Sequence, residues 1–226
     1  MSLLEALVAP APLQLVMFDL DGTLVDSVPD LHASTNAMLA DLGYPLVCEE
    51  QVRSWVGNGA AMLVKRALAR DIEISRLQPD SEFDAAYARF IHHYTQFNGV
   101  HAQCYEGARD LLGSLRRRGI HTAIVTNKPE QFSYPLVEQL SLDTDLLVCG
   151  DTLPQRKPDP QPLHHCLHHF DLSARRALMV GDSISDIHAA HAAGIKIVAV
   201  SYGYNHGIPI ETCAPDRIID SLRELG

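Results

Sequence analysis

Four short clusters hold the residues best suited to chemistry: Asp19-Leu-Asp21-Gly22-Thr23, Thr126-Asn127-Lys128-Pro129, Lys157-Pro158 and Gly181-Asp182-Ser183-Ile-Ser-Asp186. An aspartate such as Asp19 can attack phosphorus and form an aspartyl-phosphate. Asp21 lies two residues on, where the chain can turn through Gly22. From there it can protonate a leaving alkoxide and then deprotonate the hydrolytic water. The Thr126 hydroxyl and the Asn127 amide suit phosphoryl oxygens, and Lys157 suits the charge on a phosphorylated aspartate. Mg²⁺ prefers a few hard oxygens plus waters and substrate phosphate, a set that Asp19, the Asp21 carbonyl and Asp182 can supply. Without such cations, three carboxylates would repel a phosphate dianion. Taken together, the residue types describe a Mg²⁺-dependent aspartyl phosphotransfer centre.

Each cluster also has a plainer reading. Asp19, Asp21 and Asp182 suit turns after strands. Asp186 can serve only as the third member of a Ser-x-x-Asp capping box. Lys157 can be a solvated loop lysine, and Thr126 can simply end its strand. Gly57-Asn58-Gly59 can be a turn that opens a helix, or a loop whose amides and Asn58 face a substrate. In His164-His165-Cys166-Leu167-His168-His169 the histidines form two i, i+4 pairs able to hold a transition metal. With no further ligand nearby in sequence, a solvated or packed helix face is the simpler expectation.

The elements that must carry these clusters follow from periodicity. Residues 13–19, 121–126, 145–149, 177–181 and 196–200 are short, nearly continuous apolar runs, the pattern of strands covered on both faces. Helical patterns lie between them. Residues 105–119 carry apolar positions at Ala108, Leu111, Leu112 and Leu115 and end in three arginines and Gly119. Residues 183–194 open with the Ser-x-x-Asp pattern. Alternating strands and helices predict an α/β fold, a Rossmann-like parallel sheet whose ligands bind beyond the C-terminal strand ends. All four clusters fall there. Residues 26–98 break the rhythm. Helical patterns at 27–43, 57–69 and 79–97 predict a helical cap domain inserted after the first strand, leaving residues 1–25 and 99–226 as the catalytic core.

The chain has 226 residues, 46% of them apolar and 20% charged, an ordinary globular composition. Its 18 basic residues against 28 acidic ones give a net charge of −10, which argues against nucleic-acid binding. No apolar run approaches the roughly 18–20 residues of a membrane span. The first twelve residues lack a basic n-region and read as a short frayed lead-in rather than a signal peptide. The five cysteines are scattered without a CxxC, as expected of reduced thiols. A cytoplasmic protein is predicted, a monomer or weak homodimer, acting on a small phosphorylated substrate and on neither nucleic acid nor membrane.

The four motifs, in this order, resemble the haloacid dehalogenase superfamily over nearly the whole chain. The resemblance implies the Rossmann-like core, the two-step aspartyl-phosphate mechanism with Asp19, Asp21 and Lys157 as catalytic residues, and Mg²⁺ held by Asp19, Asp21 and Asp182. It also implies that Asp186 orders the metal's waters or Asp182. Trp55-Val-Gly-Asn-Gly-Ala, Thr126-Asn-Lys-Pro129 and Ser201-Tyr-Gly-Tyr-Asn-His-Gly207 further resemble the bacterial phosphoglycolate phosphatase family, which hydrolyses 2-phosphoglycolate to glycolate and phosphate. That implies substrate contacts from Thr126, Asn127, Asn58 and Gly59, and a cation or amide cluster for the substrate carboxylate, with Lys128 favoured over Arg53 and Arg66 among the cations. The alternative is another small sugar-phosphate or phosphomonoester phosphatase, or a phosphomutase, of the same superfamily. A receiver-like phosphoacceptor and a catalytically dead scaffold fit less well, because the insertion suits a small-molecule enzyme and the four key residues are intact.

Overall fold

The computed structural model describes residues 2–57, 59–74, 80–205 and 208–226. These form two compact units: Met1–Val25 with Cys104–Gly203 and Pro209–Gly226, and Asp26–Gln103 with Tyr204–Ile208.

The first unit is built on a six-stranded sheet. Its strands are β1 (Leu15–Phe18), β4 (His121–Val125), β5 (Leu146–Val148), β6 (Ala177–Gly181), β7 (Lys196–Val200) and β8 (Arg217–Ile219). The spatial order is β5-β4-β1-β6-β7-β8, and every neighbouring pair is parallel. All four residues of β1 and all five of β6 are buried, which is why they read as unbroken apolar runs. Side chains alternate between faces. Leu15 and Met17 join a core cluster with Ala123, Val125, Met179 and Ile197 that also takes in Leu163, Cys166 and Ile187. The last three come from α8 (Gln161–His169) and α9 (Ile184–Ala192). Helix α6 (Ala108–Arg117) packs on β4 through Leu111, Leu112 and Leu115. Helix α7 (Glu130–Gln139) follows the Thr126–Pro129 segment and contains Pro135. Two short strands, β2 (Val25–Asp26) and β3 (Gln103–Cys104), pair with each other. The chain runs from β1 to β4 on one side of β1, then later to β6 on its other side. The sheet therefore reverses direction at β1, and ligands of such sheets bind at that point.

One expectation fails. The first residues are not a frayed lead-in but helix α1 (Leu3–Val8), which packs on β6. Ser2 and Glu5 cap it reciprocally: Ser2 N donates to Glu5 Oε2 at 2.9 Å and Glu5 N to Ser2 Oγ at 3.4 Å. Leu4 and Val8, one turn apart, are buried. The capping pair and this apolar pair order a segment too short to hold as an isolated helix.

The second unit is helical: α2 (Val28–Asp41), α3 (Glu49–Trp55), α4 (Ala60–Ala69) and α5 (Asp80–Phe97). Its core includes Val28, Met38, Leu39, Val64, Phe90 and Tyr94, and α2 packs chiefly on α5. The buried Asp30 carboxylate accepts from Gly99 N and His101 N, both at 2.7 Å. That ties the segment after α5 back to the start of α2. Among the described residues no helix is long and apolar enough to cross a membrane.

Candidate active site

Asp19 is the first residue past β1, and its N–H still joins the sheet, donating to Val180 O at 2.9 Å. The chain then closes a tight turn in which the N–H groups of Thr23, Leu24 and Val25 all point at Leu20 O. Gly22 supplies the left-handed φ of 88° that this turn requires. Asp19 Oδ1 accepts from Leu20 N at 2.7 Å and pairs with Lys157 Nζ at 2.9 Å. Among the described residues Asp19 Oδ2 takes no hydrogen bond.

Lys157 is 2% exposed. Its ammonium has three donors, and three acceptors surround it: Asp19 Oδ1, Asp186 Oδ1 at 2.7 Å and Val125 O at 2.6 Å. Burial pulls its pKa down, but the Asp186 and Asp19 carboxylates outweigh burial and hold it above the usual lysine range. The solvated-loop reading of Lys157 therefore fails, because a free ammonium would not be buried against two carboxylates.

Asp186 is fully buried and lies in the first turn of α9, where it completes the capping box with Ser183 that the Ser-x-x-Asp pattern predicts. Its Oδ2 accepts from Asp182 N (3.3 Å), Ser183 N (3.1 Å) and Ser183 Oγ (2.7 Å). Asp186 thus fixes Lys157 with one oxygen and the 182–183 turn with the other. Gly181 makes room for this: a Cβ there would lie 2.5–2.7 Å from Asp186 side-chain atoms. Asp182 is buried as well, and its Oδ1 accepts from Thr23 Oγ1 at 3.1 Å. One oxygen from each of Asp19, Asp182 and Asp186 can be chosen so that all lie within 4.8 Å of one another. Three carboxylates against one ammonium leave the cluster short of positive charge. Burial, and then the Asp186 carboxylate, push Asp19 up to about 7 against the opposing pull of Lys157. A hard divalent cation fits such an all-oxygen, charge-deficient set.

Thr126 follows β4 and is buried. Its Oγ1 accepts from Lys128 N at 3.1 Å, so the hydroxyl proton is available to a ligand. The Asn127 side chain donates to Lys157 O at 2.8 Å, linking the second cluster to the third. Lys128 is also buried, with Nζ 3.0 Å from Asp21 Oδ1. The structure therefore brings Asp19, Asp21, Thr126, Asn127, Lys128, Lys157, Asp182 and Asp186 to one end of one sheet.

The cap candidates fall within residues 26–103, the stretch of the second unit. Asn58 lies outside the described residues. Gly59 precedes α4 at a φ of 89° in the second unit. Arg53 pairs with Asp26 at 3.1 Å and Glu49 at 3.0 Å and lies over the Tyr204 ring. Arg66 is buried and donates to Trp55 O and Ile72 O. Both arginines thus have partners inside their own unit. On α8, Leu163, Cys166 and Leu167 face the core, while His164, His168 and His169 are exposed. They form the packed helix with a solvated face expected from the simpler reading. Thr23, Tyr202 and Gly203 were not singled out from the sequence as parts of the site. Thr23 lies inside the first cluster and Tyr202 and Gly203 inside the 201–207 segment quoted for the family resemblance, but no role attached to these three residues there.

Comparison with known proteins agrees with this geometry. The family model of haloacid dehalogenase-like hydrolases matches residues 16–200. The chain is 46% identical over 227 residues to phosphoglycolate phosphatase 1 of Pseudomonas aeruginosa, covering 100% of this chain and 83% of that one. It is 44% identical over 215 residues to phosphoglycolate phosphatase of Nitrosococcus oceani, covering 94% of both. Among solved structures, a predicted phosphoglycolate phosphatase from Haemophilus somnus superposes with a TM-score of 0.87 at 35% identity, covering 95% of this chain and 96% of that one.

Proposed function

Because the chain belongs to the haloacid dehalogenase-like hydrolases, we propose that it hydrolyses 2-phosphoglycolate to glycolate and phosphate through an aspartyl-phosphate on Asp19. The observation that carries this reading is the asymmetry of Asp19: one oxygen is held by Lys157 and Leu20 N, and the other is open. The open oxygen attacks phosphorus as the bond to the leaving oxygen breaks. Asp21 delivers its proton to that oxygen, releasing glycolate. Asp21 then takes a proton from a water, whose oxygen attacks the phosphorus and breaks the bond to Asp19. Phosphate leaves and the carboxylate is restored. Thr126 and Asn127 hold the non-bridging oxygens, and Lys157 stabilises the charge on Asp19 in both steps. Asp19, Asp182 and the Asp21 carbonyl would hold Mg²⁺, with Asp186 ordering that set from behind. When bound, the ion neutralises charge on the transferring phosphoryl group. The second unit serves as the cap.

The Lys128–Asp21 contact bears on the substrate. In 2-phosphoglycolate a single methylene separates the leaving oxygen from the carboxylate. A cation placed beside the proton donor therefore lies where that carboxylate must come. The chemistry is tested with a panel of phosphomonoesters, with and without EDTA. Phosphate release from 2-phosphoglycolate should far exceed that from glucose phosphates and vanish with EDTA. Equal turnover across the panel would sink the substrate while leaving the reaction class. The role of Lys128 is tested by Lys128→Met, which should lower kcat/KM for 2-phosphoglycolate by roughly 10- to 100-fold, the loss of a charge-assisted hydrogen bond. The loss on ethyl phosphate, which needs the same proton but has no carboxylate, should be much smaller. Equal losses on both esters would leave Lys128 with Asp21 alone.

A further inference from the structure

The segment after β7 is fastened at two residues. Ser201 N donates to Ile219 O at 3.0 Å and Ser201 Oγ to Asp220 Oδ1 at 2.6 Å. The next residue turns the other way: Tyr202 OH donates to Thr23 O at 2.9 Å, and its ring lies 4.3 Å from that of Tyr105. Gly203 follows, its backbone pressed against Asp182. A Cβ at position 203 would lie 2.1 Å from Asp182 Cβ and 2.4 Å from its Oδ2. Such distances are far inside van der Waals contact. Gly203 does not adopt a left-handed φ, so backbone conformation alone does not call for glycine. Space does. On its other side the Asp182 carboxylate accepts the Thr23 hydroxyl, and the same Thr23 offers its carbonyl to Tyr202.

We infer that Gly203 is a positioning residue for the Asp182 carboxylate, clamping it against Thr23 so that its oxygens stay within reach of those of Asp19 and Asp186. This rests on the reading of Asp182 as a metal-facing carboxylate. The loop cannot yield easily, because Ser201 and Tyr202 anchor it from two sides. Rotating the Asp182 side chain leaves its Cβ in place, so it is the backbone at Asp182 that must shift, carrying the carboxylate with it. Its oxygens would swing out of the cluster.

The test is Gly203→Ala, read by calorimetric titration of Mg²⁺ into the metal-free protein without substrate. The expected result is a Kd about 10- to 100-fold weaker than wild type, the usual cost of disturbing a group that orients a metal ligand. Thermal melts in EDTA complete a double-mutant cycle with Asp182→Gly, which removes the clashing Cβ. Gly203→Ala alone should lower the Tm by roughly 2–10 °C. In the Asp182→Gly background, where both the Cβ and the carboxylate have gone, it should cost little. If Gly203→Ala fails to fold, a folded Asp182→Gly/Gly203→Ala double variant supports the inference. A double variant that fails while Asp182→Gly folds overturns it. It is equally overturned by a Mg²⁺ affinity within about twofold of wild type, or by equal Tm losses in both backgrounds. Wild-type protein that binds no Mg²⁺ would overturn the metal reading of Asp182 and the inference with it. Wild-type binding that Gly203→Ala leaves unaltered overturns the inference alone.

Discussion

Asp19→Asn will abolish phosphate release from 2-phosphoglycolate, lowering kcat by roughly 10⁴-fold or more, the scale of losses when a covalent nucleophile is removed. Asparagine keeps the shape of the side chain and can still accept from Leu20 N and Lys157 at one oxygen. What it lacks is a second, nucleophilic oxygen: that position becomes an amide nitrogen whose lone pair is delocalised. Folding should be retained, since the substitution is isosteric and removes one of the carboxylates crowding the cluster. Asp21→Asn should behave differently. Its amide can neither give a proton to the leaving oxygen nor take one from water, so both steps slow. A substrate with a good leaving group needs no such proton for the first step. With p-nitrophenyl phosphate, Asp21→Asn should therefore accumulate phosphorylated protein, seen by intact mass, whereas Asp19→Asn should accumulate none. Robust turnover by Asp19→Asn would end the covalent mechanism. Phosphorylation of Asp19→Asn at another residue would move the nucleophile elsewhere.

The strands beneath this site were legible for a physical reason. β1, β4, β6 and β7 are covered on both faces, so burial writes itself into the chain as uninterrupted apolar runs. β8 has three residues at a sheet edge with only Ile219 buried, too little burial to leave a pattern. Helix α1 was misread because it spans only six residues, too few to show a helical period, although its Ser2-x-x-Glu5 capping signal was present. Pro135 interrupts the helical pattern of α7, and α3 is only seven residues long. At the site, the motifs identified which residues gather but not what each one touches. Lys128 was assigned to a substrate carboxylate and stands on Asp21, 107 positions away in sequence. Thr23 reaches Asp182 across 159 positions. Pairings at such separations are set by strand order, and local sequence does not encode them.

Lys157 is where stability and chemistry meet, and Lys157→Met should impair both. The variant removes the ammonium from between Asp19 and Asp186 and leaves two carboxylates and the Val125 carbonyl uncompensated in a dry site. Breaking a buried ion pair from one side costs about 3–5 kcal/mol, or roughly 6–20 °C in Tm for a protein of this size. The loss should depend on pH. Burial and the Asp186 carboxylate already push Asp19 up to about 7 with Lys157 present, and without the opposing pull of Lys157 its pKa rises further. A carboxylate whose folded pKa is raised favours the fold below its unfolded pKa of about 3.9 and loses that advantage as pH rises through the folded value. The Tm deficit of Lys157→Met, measured in EDTA, should therefore be larger at pH 8 than at pH 5. Adding Asp186→Asn to Lys157→Met should recover part of the Tm by removing one stranded charge. It should recover no phosphatase activity, because nothing would then compensate the charge on Asp19 as phosphorus is transferred. A Tm deficit that does not change with pH, or a double variant no more stable than Lys157→Met, would show that the loss comes from packing and not from charge.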